Sequence, residues 1–193
     1  MSRPGAFPIF TPAEYLSFER FSEARHEYLA GSVHAMAGES LEHGTICFNL
    51  AVTVGEQIKN TPCRGFSPNM KVRASEKGLY AYPDLMVVCG EPLFHDEHGD
   101  VLTNPTVIFE VLSRSTEAYD RGEKFLRYTT QIDTLQDYVL VAQTVPHVEH
   151  FSRQPDGTWT QIEINGLPEV LSLPSINCRV ALADVYSRIS FPA

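Results

Sequence analysis

The run Pro105-Thr106-Val107-Ile108-Phe109-Glu110-Val111-Leu112 constrains the fold more than any other stretch of the chain. Its apolar residues do not alternate with polar ones. Both faces of the segment Thr106 to Leu112 therefore need cover, the pattern of a central strand in a layered sheet. Period-two geometry puts Ile108, Glu110 and Leu112 on one face and Val107, Phe109 and Val111 on the other. One carboxylate thus falls inside an apolar strand. An isolated buried charge costs several kcal/mol or more, so Glu110 must be paired, protonated, bound to a cation or brought to solvent at the strand end.

Around that strand the chain divides into elements. Thr11-Pro12-Ala13-Glu14 opens a helix reaching about Arg20, with Thr as cap, Pro in the first turn and an acid near the N-terminus. His26 to Ala37 predicts a hairpin turning at Ala30-Gly31-Ser32. From Leu41 to Lys59, Ile46, Leu50, Val54 and Ile58 form one stripe of an amphipathic helix, stopped by Asn60-Thr61-Pro62. Strands are predicted over Phe66 to Ala74 and Leu79 to Cys89, a loop over Gly90 to Asn104 and a helix over Ala118 to Thr130. Three strands follow at Asp137 to Gln143, His147 to Arg153 and Thr158 to Asn165, with Pro155-Asp156-Gly157 as a turn and a short helix within Ala181 to Ile189. This order predicts an α/β (α+β) sandwich, a central mixed β-sheet flanked by helices. The helix between the Glu110 and Asp137 strands should make a right-handed crossover between parallel neighbours. A length of 193 residues suits one domain spanning 1–193.

Several function classes are disfavoured. No apolar run approaches the ~18 residues of a membrane span, and Met1 to Phe10 lacks the pattern of a secretory leader. The cysteines at 47, 63, 89 and 178 form no C-x-x-C pair, so a zinc ribbon or thioredoxin-type motif is unsupported. Cys47 and Cys89 lie in apolar runs and are expected to behave as small buried hydrophobes, with the reducing cytoplasm as the expected compartment. A net charge of −9 opposes unspecific attraction to nucleic acid, although it is compatible with a local basic groove. Glycine-rich phosphate cradles, a G-x-S-x-G elbow and a helical H-x-x-x-H pair are absent. His95, Asp96, Glu97, His98 and Asp100 are expected at a solvated loop tip.

The candidate chemistry centres on two acids. Asp84 follows Pro83 and opens the run Leu85-Met86-Val87-Val88; alone it suits a turn or cap. If its strand neighbours that of Glu110, at about 4.8 Å, both carboxylates can reach one divalent cation, and such hard oxygens suit Mg²⁺ or Mn²⁺. Asp120, Lys124 and Tyr128 share one helix face at i, i+4 and i+8. They fit either an ordinary Asp–Lys pair or a lysine leaning over the sheet toward a metal or phosphate. Glu27 is either a third acid of the site or exposed. His43 suits the cap region of its helix, and capping accounts for one of Ser113, Ser115 and Thr116.

Pro83-Asp84, Glu110-Val111-Leu112 and Lys124 carry a resemblance to a known family. With T-P-A-E-Y-L, H-E-Y-L-A-G-S-V-H-A-M-A-G, Y-P-D-L-M-V-V, P-T-V-I-F-E-V-L-S-R-S-T and D-R-G-E-K-F-L-R-Y, the chain from about Thr11 to Tyr186 resembles the Uma-two family of endonucleases. That family lies within the restriction-endonuclease-like superfamily, whose signature is Pro-Asp, a gap, then Asp or Glu, any residue, Lys. The resemblance implies metal-assisted phosphodiester hydrolysis of nucleic acid, DNA foremost. Asp84 and Glu110 would hold Mg²⁺ or Mn²⁺, helped by the Val111 carbonyl, with Glu27 as an accessory acid. Leu112 stands where the signature has lysine; Lys124 is expected to supply the amine, with Lys71 a lesser substitute. A homodimer is compatible with this superfamily. The alternatives are a non-catalytic nucleic-acid or protein binding module on the same fold, or a structural domain in which Asp84 and Glu110 pair with Lys124 or Arg73.

Overall fold

A computed structural model describes residues 9–75 and 78–191; the first eight residues, most of the stretch that bears on a leader, lie outside them. In chain order the elements are α1 (Pro12–Glu19), β1 (His26–Leu29), β2 (Ser32–Ala35), α2 (Leu41–Ile58), β3 (Cys63–Phe66), β4 (Lys71–Arg73), β5 (Leu79–Ala81) and β6 (Leu85–Cys89). They continue with β7 (Val101–Leu102), β8 (Val107–Val111), α3 (Glu117–Tyr119), a π-turn (Asp120–Lys124), α4 (Phe125–Gln131) and β9 (Asp137–Val141). Last come β10 (His147–Arg153), β11 (Trp159–Asn165), β12 (Val170–Leu173), a 3₁₀ turn (Pro174–Ile176), β13 (Cys178–Ala181) and α5 (Leu182–Val185).

The larger sheet has the order β11-β10-β9-β8-β6-β3, and a five-stranded sheet has the order β2-β1-β5-β4-β7. β8 is central as expected: it runs antiparallel to β6 and parallel to β9, with α3, the π-turn and α4 between β8 and β9. Its two faces enter two cores. Val107, Phe109 and Val111 pack with the α2 stripe Ile46, Leu50, Val54 and Ile58 and with the β12–β13 hairpin and α5. Ile108 and Leu112 pack with Val72, Leu79 and Ala81 of the smaller sheet and with Tyr128 and Tyr138. Two layers thus cover the larger sheet, and Glu110 belongs to the face that meets the smaller one.

Local chemistry sets the entry points. Thr11 and Glu14 form a reciprocal capping box at the start of α1, and Pro12 takes its first turn. Ser40 caps α2 by accepting the His43 N–H. Ala30 and Gly31, at φ 46° and 99°, make the two-residue turn from β1 to β2.

Several expected boundaries need correction. Phe66 to Ala74 is not one strand, because β3 ends at Phe66 and β4 begins at Lys71 in the other sheet. Leu79 to Cys89 is likewise two strands. Tyr82-Pro83-Asp84 carries the chain from one sheet to the other, and Pro83 offers no N–H to extend a ladder. The stretch from Gly90 to Asn104 contains β7, and β12–β13 is a hairpin that sequence periodicity did not reveal. The helix from Ala118 to Thr130 is interrupted by the π-turn, and the final helix is confined to Leu182–Val185. Cys63 and Cys89 lie directly opposite on β3 and β6 and form a disulfide, so Cys89 is not a free buried hydrophobe. Cys47 is only partly buried. Among the described residues, no helix is long and apolar enough to cross a membrane.

Candidate active site

The register of β6 and β8 decides the geometry. Leu85 pairs with Phe109 and Met86 with Ile108, so Asp84 lies one step beyond the end of the ladder, beside Glu110 and Val111. There Asp84 Oδ2 accepts the Val111 N–H at 2.7 Å. Asp84 is thus fixed to the strand that carries Glu110, and Val111 enters the site through its amide.

Glu110 lies deeper. Lys124 Nζ stands 3.1 Å from Glu110 Oε1, 3.1 Å from Glu27 Oε1 and 3.2 Å from Asp120 Oδ1. Tyr128 donates its hydroxyl to the same Glu110 oxygen at 3.4 Å, and Glu27 also accepts the Tyr82 N–H at 3.3 Å. Glu27, Glu110, Asp120 and Lys124 are 7%, 4%, 2% and 4% exposed, so one ammonium faces three acids away from water. Glu27 is therefore a buried acid of this cluster, not an exposed residue of the hairpin. The i, i+4, i+8 face is real, and the Asp120–Lys124 pair is one edge of a larger cluster.

The π-turn shapes this cluster. Phe125 N–H reaches back five residues to the Asp120 carbonyl, which also accepts the buried Tyr138 hydroxyl at 3.0 Å. The widened turn places Asp120 and Lys124 together over β8, and such turns recur at functional sites.

Electrostatics follow from burial. Removal from water pushes the Glu110 carboxyl well above its usual range; Lys124 pulls it down, and Asp120, Asp84 and Glu27 push it up further. Burial works against the charge on Lys124, but the surrounding carboxylates outweigh it and hold the ammonium well above its ordinary range. His43 Nε2 is 3.4 Å from Asp84 Oδ2. Burial lowers the His43 imidazole, yet the bonds to Asp84 and Glu39 prevail and raise it. Burial, reinforced by Asp84 and Glu39, pushes the Cys47 thiol up, so an unliganded Cys47 is a neutral thiol and a poor nucleophile.

With four carboxylates against Lys124 and His43, the donor set is hard oxygen and short of positive charge. It fits a divalent cation of the Mg²⁺ or Mn²⁺ kind. A cavity of about 580 Å³ runs along α2 and β3 and meets the site at Asp84, with Leu85, Cys47, Lys59 and Arg64 among its other lining residues.

The lesser candidates lie elsewhere. Lys71 binds Asp100 at 2.9 Å and stands over the Tyr82 ring, while Arg73 meets His95 at 2.7 Å. Neither is bonded to Asp84 or Glu110. The acidic loop is more than a solvated tip, since Asp96 and Asp100 both clamp Arg20 of the α1 C-cap. His43, read as a cap-region residue, does sit in the first turn of α2, yet it also faces Asp84. Only its position in a helix start was visible in the sequence; its partner lies on a distant strand.

A mixed sheet whose adjacent strands bring a Pro-Asp carboxylate and a buried glutamate to one edge, with a lysine over them, defines a restriction-endonuclease-like fold. Residues 12–183 match the Uma2 family, described as "Putative restriction endonuclease", and the chain belongs to that family. Two relatives come from Synechocystis sp.: uncharacterized protein sll1609 is 36% identical over 82% of this chain and 89% of its own, and uncharacterized protein slr1290 is 32% identical over 96% and 95%. A crystal structure described as a "putative nuclease belonging to DUF820" from Anabaena variabilis superposes with a TM-score of 0.77 at 16% identity, over 94% of this chain and 99% of that one. That likeness establishes the fold.

Proposed function

We propose that the protein is a metal-dependent endonuclease that hydrolyses phosphodiester bonds in nucleic acid, DNA foremost, using Mg²⁺ or Mn²⁺. The observation that carries this reading is the placement of Asp84 beside Glu110 on adjacent strands, within a cluster holding more buried carboxylate than the described cations balance. Asp84 and Glu110 would hold the cation, with the Val111 carbonyl as a further ligand and Glu27 as an accessory acid. When bound, the cation supplies Lewis acidity at the scissile phosphate and lowers the pKa of an attacking water. Lys124 keeps Glu110 and Glu27 in fixed positions and offsets negative charge that develops at the phosphoryl group. Lys59 and Arg64, in the cavity that Asp84 lines, can meet backbone phosphates despite the acidic net charge.

One observation favours a second reading, a binding module without turnover: the Lys124 ammonium already has three carboxylate partners. The two readings separate in one series. Calorimetry should give Mn²⁺ binding to the wild type that is lost in Asp84→Asn, and plasmid cleavage in Mn²⁺ should be lost in both Asp84→Asn and Lys124→Ala. Binding with no cleavage of any nucleic acid would favour the binding module. No binding at millimolar Mn²⁺ would overturn the metal site, and hydrolysis retained in Lys124→Ala would remove the role given to that lysine.

A further inference from the structure

A second group of ligands stands beside this site at the head of α2, outside the carboxylate cluster. His43 and Cys47 lie one turn apart on one face of α2, Glu39 stands just before its Ser40 cap, and the donor atoms of all three lie within 4.8 Å of one another. His43 Nδ1 is the hub, 3.3 Å from Glu39 Oε2 and 3.4 Å from Cys47 Sγ. A tetrahedral zinc ion with ordinary bond lengths spaces its ligands at about 3.4 Å for nitrogen to oxygen and about 3.6 Å for nitrogen to sulfur. Two edges of a coordination tetrahedron are therefore present to within ~0.2 Å. The third edge needs only an adjustment of the Glu39 side chain, which is 61% exposed and free to move.

Hydrogen-bond accounting points the same way. The two nitrogens of His43 face carboxylates on opposite sides, Nε2 toward Asp84 at 3.4 Å and Nδ1 toward Glu39. A carboxylate only accepts, and a neutral imidazole carries a single N–H. If that hydrogen serves Asp84, the Nδ1 lone pair is left either to accept the Cys47 S–H at 3.4 Å or to bind a cation, with the Glu39 carboxylate 3.3 Å away. Metal-binding histidines commonly ligate through one nitrogen while the other N–H is held by a carboxylate; here Asp84 is that carboxylate. The positive end of the α2 dipole opposes a cation, a small effect beside the charges of Glu39 and Asp84.

We propose that Glu39, His43 and Cys47 form a metal site of their own, selective for a borderline-soft divalent cation, with Zn²⁺ the chemical match for one thiolate, one imidazole and one carboxylate. A fourth position faces the cavity, which Glu39, Gly44 and Cys47 help to line, and is open to water or ligand. Binding displaces the proton of the Cys47 thiol to solvent, so affinity rises with pH. It also fixes the His43 ring and, through Nε2–H, the Asp84 carboxylate. The inference adds to the nuclease reading and does not depend on it, because none of its three ligands is an acid of the Glu110 cluster.

Co²⁺ titrated into the full chain is the direct test, since cobalt bound by a thiolate has a charge-transfer absorption that oxygen-only sites lack. The expected result is a saturating thiolate–cobalt band, displaced by Zn²⁺, abolished in Cys47→Ala and retained in Asp84→Asn. Glu39→Gln, at an exposed position that leaves the fold intact, should weaken binding about tenfold or more. Absence of the band in the wild type would overturn the site, leaving His43 as a doubly protonated ring between two carboxylates. A band that persists in Cys47→Ala would place cobalt on another cysteine and overturn it equally. Affinity unchanged in Glu39→Gln would refute the three-ligand set. If the cobalt band behaves as expected while Asp84→Asn leaves Mn²⁺ binding untouched, the nuclease metal site fails and this one stands.

Discussion

Replacing Lys124 with methionine would remove one charge while keeping most of the side-chain volume, and it would leave Glu27, Glu110 and Asp120 buried without the ammonium at 3.1 to 3.2 Å. Breaking a buried pair by removing one partner costs about 3–5 kcal/mol. Protonation sets a ceiling on that cost. With an unfolded glutamate pKa near 4.3, neutralising one carboxyl costs about 4.4 kcal/mol at pH 7.5 and about 1 kcal/mol at pH 5, at 1.36 kcal/mol per pH unit. Glu110 is the group to take the proton in the variant, because Lys124 is the neighbour that pulls its carboxyl down against burial and the other acids, and the substitution removes that pull. The sign follows from linkage. A carboxyl raised in the folded state favours folding below its unfolded pKa, and that advantage fades as pH rises through the folded value. Lys124→Met should therefore destabilise by about 4 kcal/mol at pH 7.5 and by only about 1 kcal/mol at pH 5, read as urea midpoints at constant m-value. Millimolar Mn²⁺ should restore part of the loss at pH 7.5 by binding the folded state. A loss under about 1 kcal/mol at pH 7.5, or equal losses at the two pH values, would refute the view that Lys124 compensates buried charge.

Other outcomes are smaller and separable. Asp100→Asn takes one of two carboxylates from Arg20, which keeps Asp96, and removes the ion-pair partner of Lys71; it should cost about 0.5–1 kcal/mol after allowance for solvent screening. Burial raises the Asp100 carboxyl, but its bonds to Arg20 and Lys71 outweigh that and hold it well below the usual range. The contribution is thus present above about pH 4 and fades below it, and the gap between variant and wild type should narrow in acid denaturation. Ala30→Gly relieves a left-handed φ of 46° and should raise stability by up to about 1 kcal/mol in thermal melts. Reduction of Cys63–Cys89, which closes 26 residues, should lower stability by up to about 3.5 kcal/mol, and an unchanged urea midpoint under reductant would show that the cross-link does not contribute.

What could be read in the sequence was whatever a single element expresses by itself. The α2 stripe, the Thr11 cap and the doubly apolar β8 announce themselves through period, capping chemistry and composition. The split of Leu79 to Cys89 into two strands was less visible, because both halves are fully apolar and only Pro83 marks the change of sheet. The β12–β13 hairpin escaped because alternation over four residues is weak, and its turn rests on Asn177 at φ 52°, not on a glycine. The cysteine pair was invisible for another reason: a cross-strand register brings together residues 26 apart with no motif between them. Of the candidate site, Glu110 stood out because charge in an apolar strand is conspicuous; Asp84 gained weight only as its potential neighbour, and Lys124 through its helix spacing and the family resemblance. His43 and the destination of Glu27 did not, since both depend on which distant strand arrives beside them.

Leu112 has a packing role on the strand that carries Glu110. It is 4% exposed and packs with Ile108, Tyr128 and Tyr138 on the face of β8 that also carries Glu110. A lysine there would have to turn its stem away from two aromatic rings to bring its charge near the Glu110 carboxylate. Lys124 arrives from above with less obstruction. The π-turn presents it over β8, Tyr138 holds the Asp120 carbonyl that marks the turn's start, and Tyr128 one helical turn later bonds the same Glu110 oxygen that Lys124 reaches. Leucine on the strand and lysine on the helix thus meet the Glu110 face in different ways. The strand position supplies aromatic packing, and the charge is delivered by an element whose backbone is locally widened to carry it. Tyr138, through its hydroxyl on the Asp120 carbonyl, ties the start of this widened turn to β9, the strand that runs parallel beside β8.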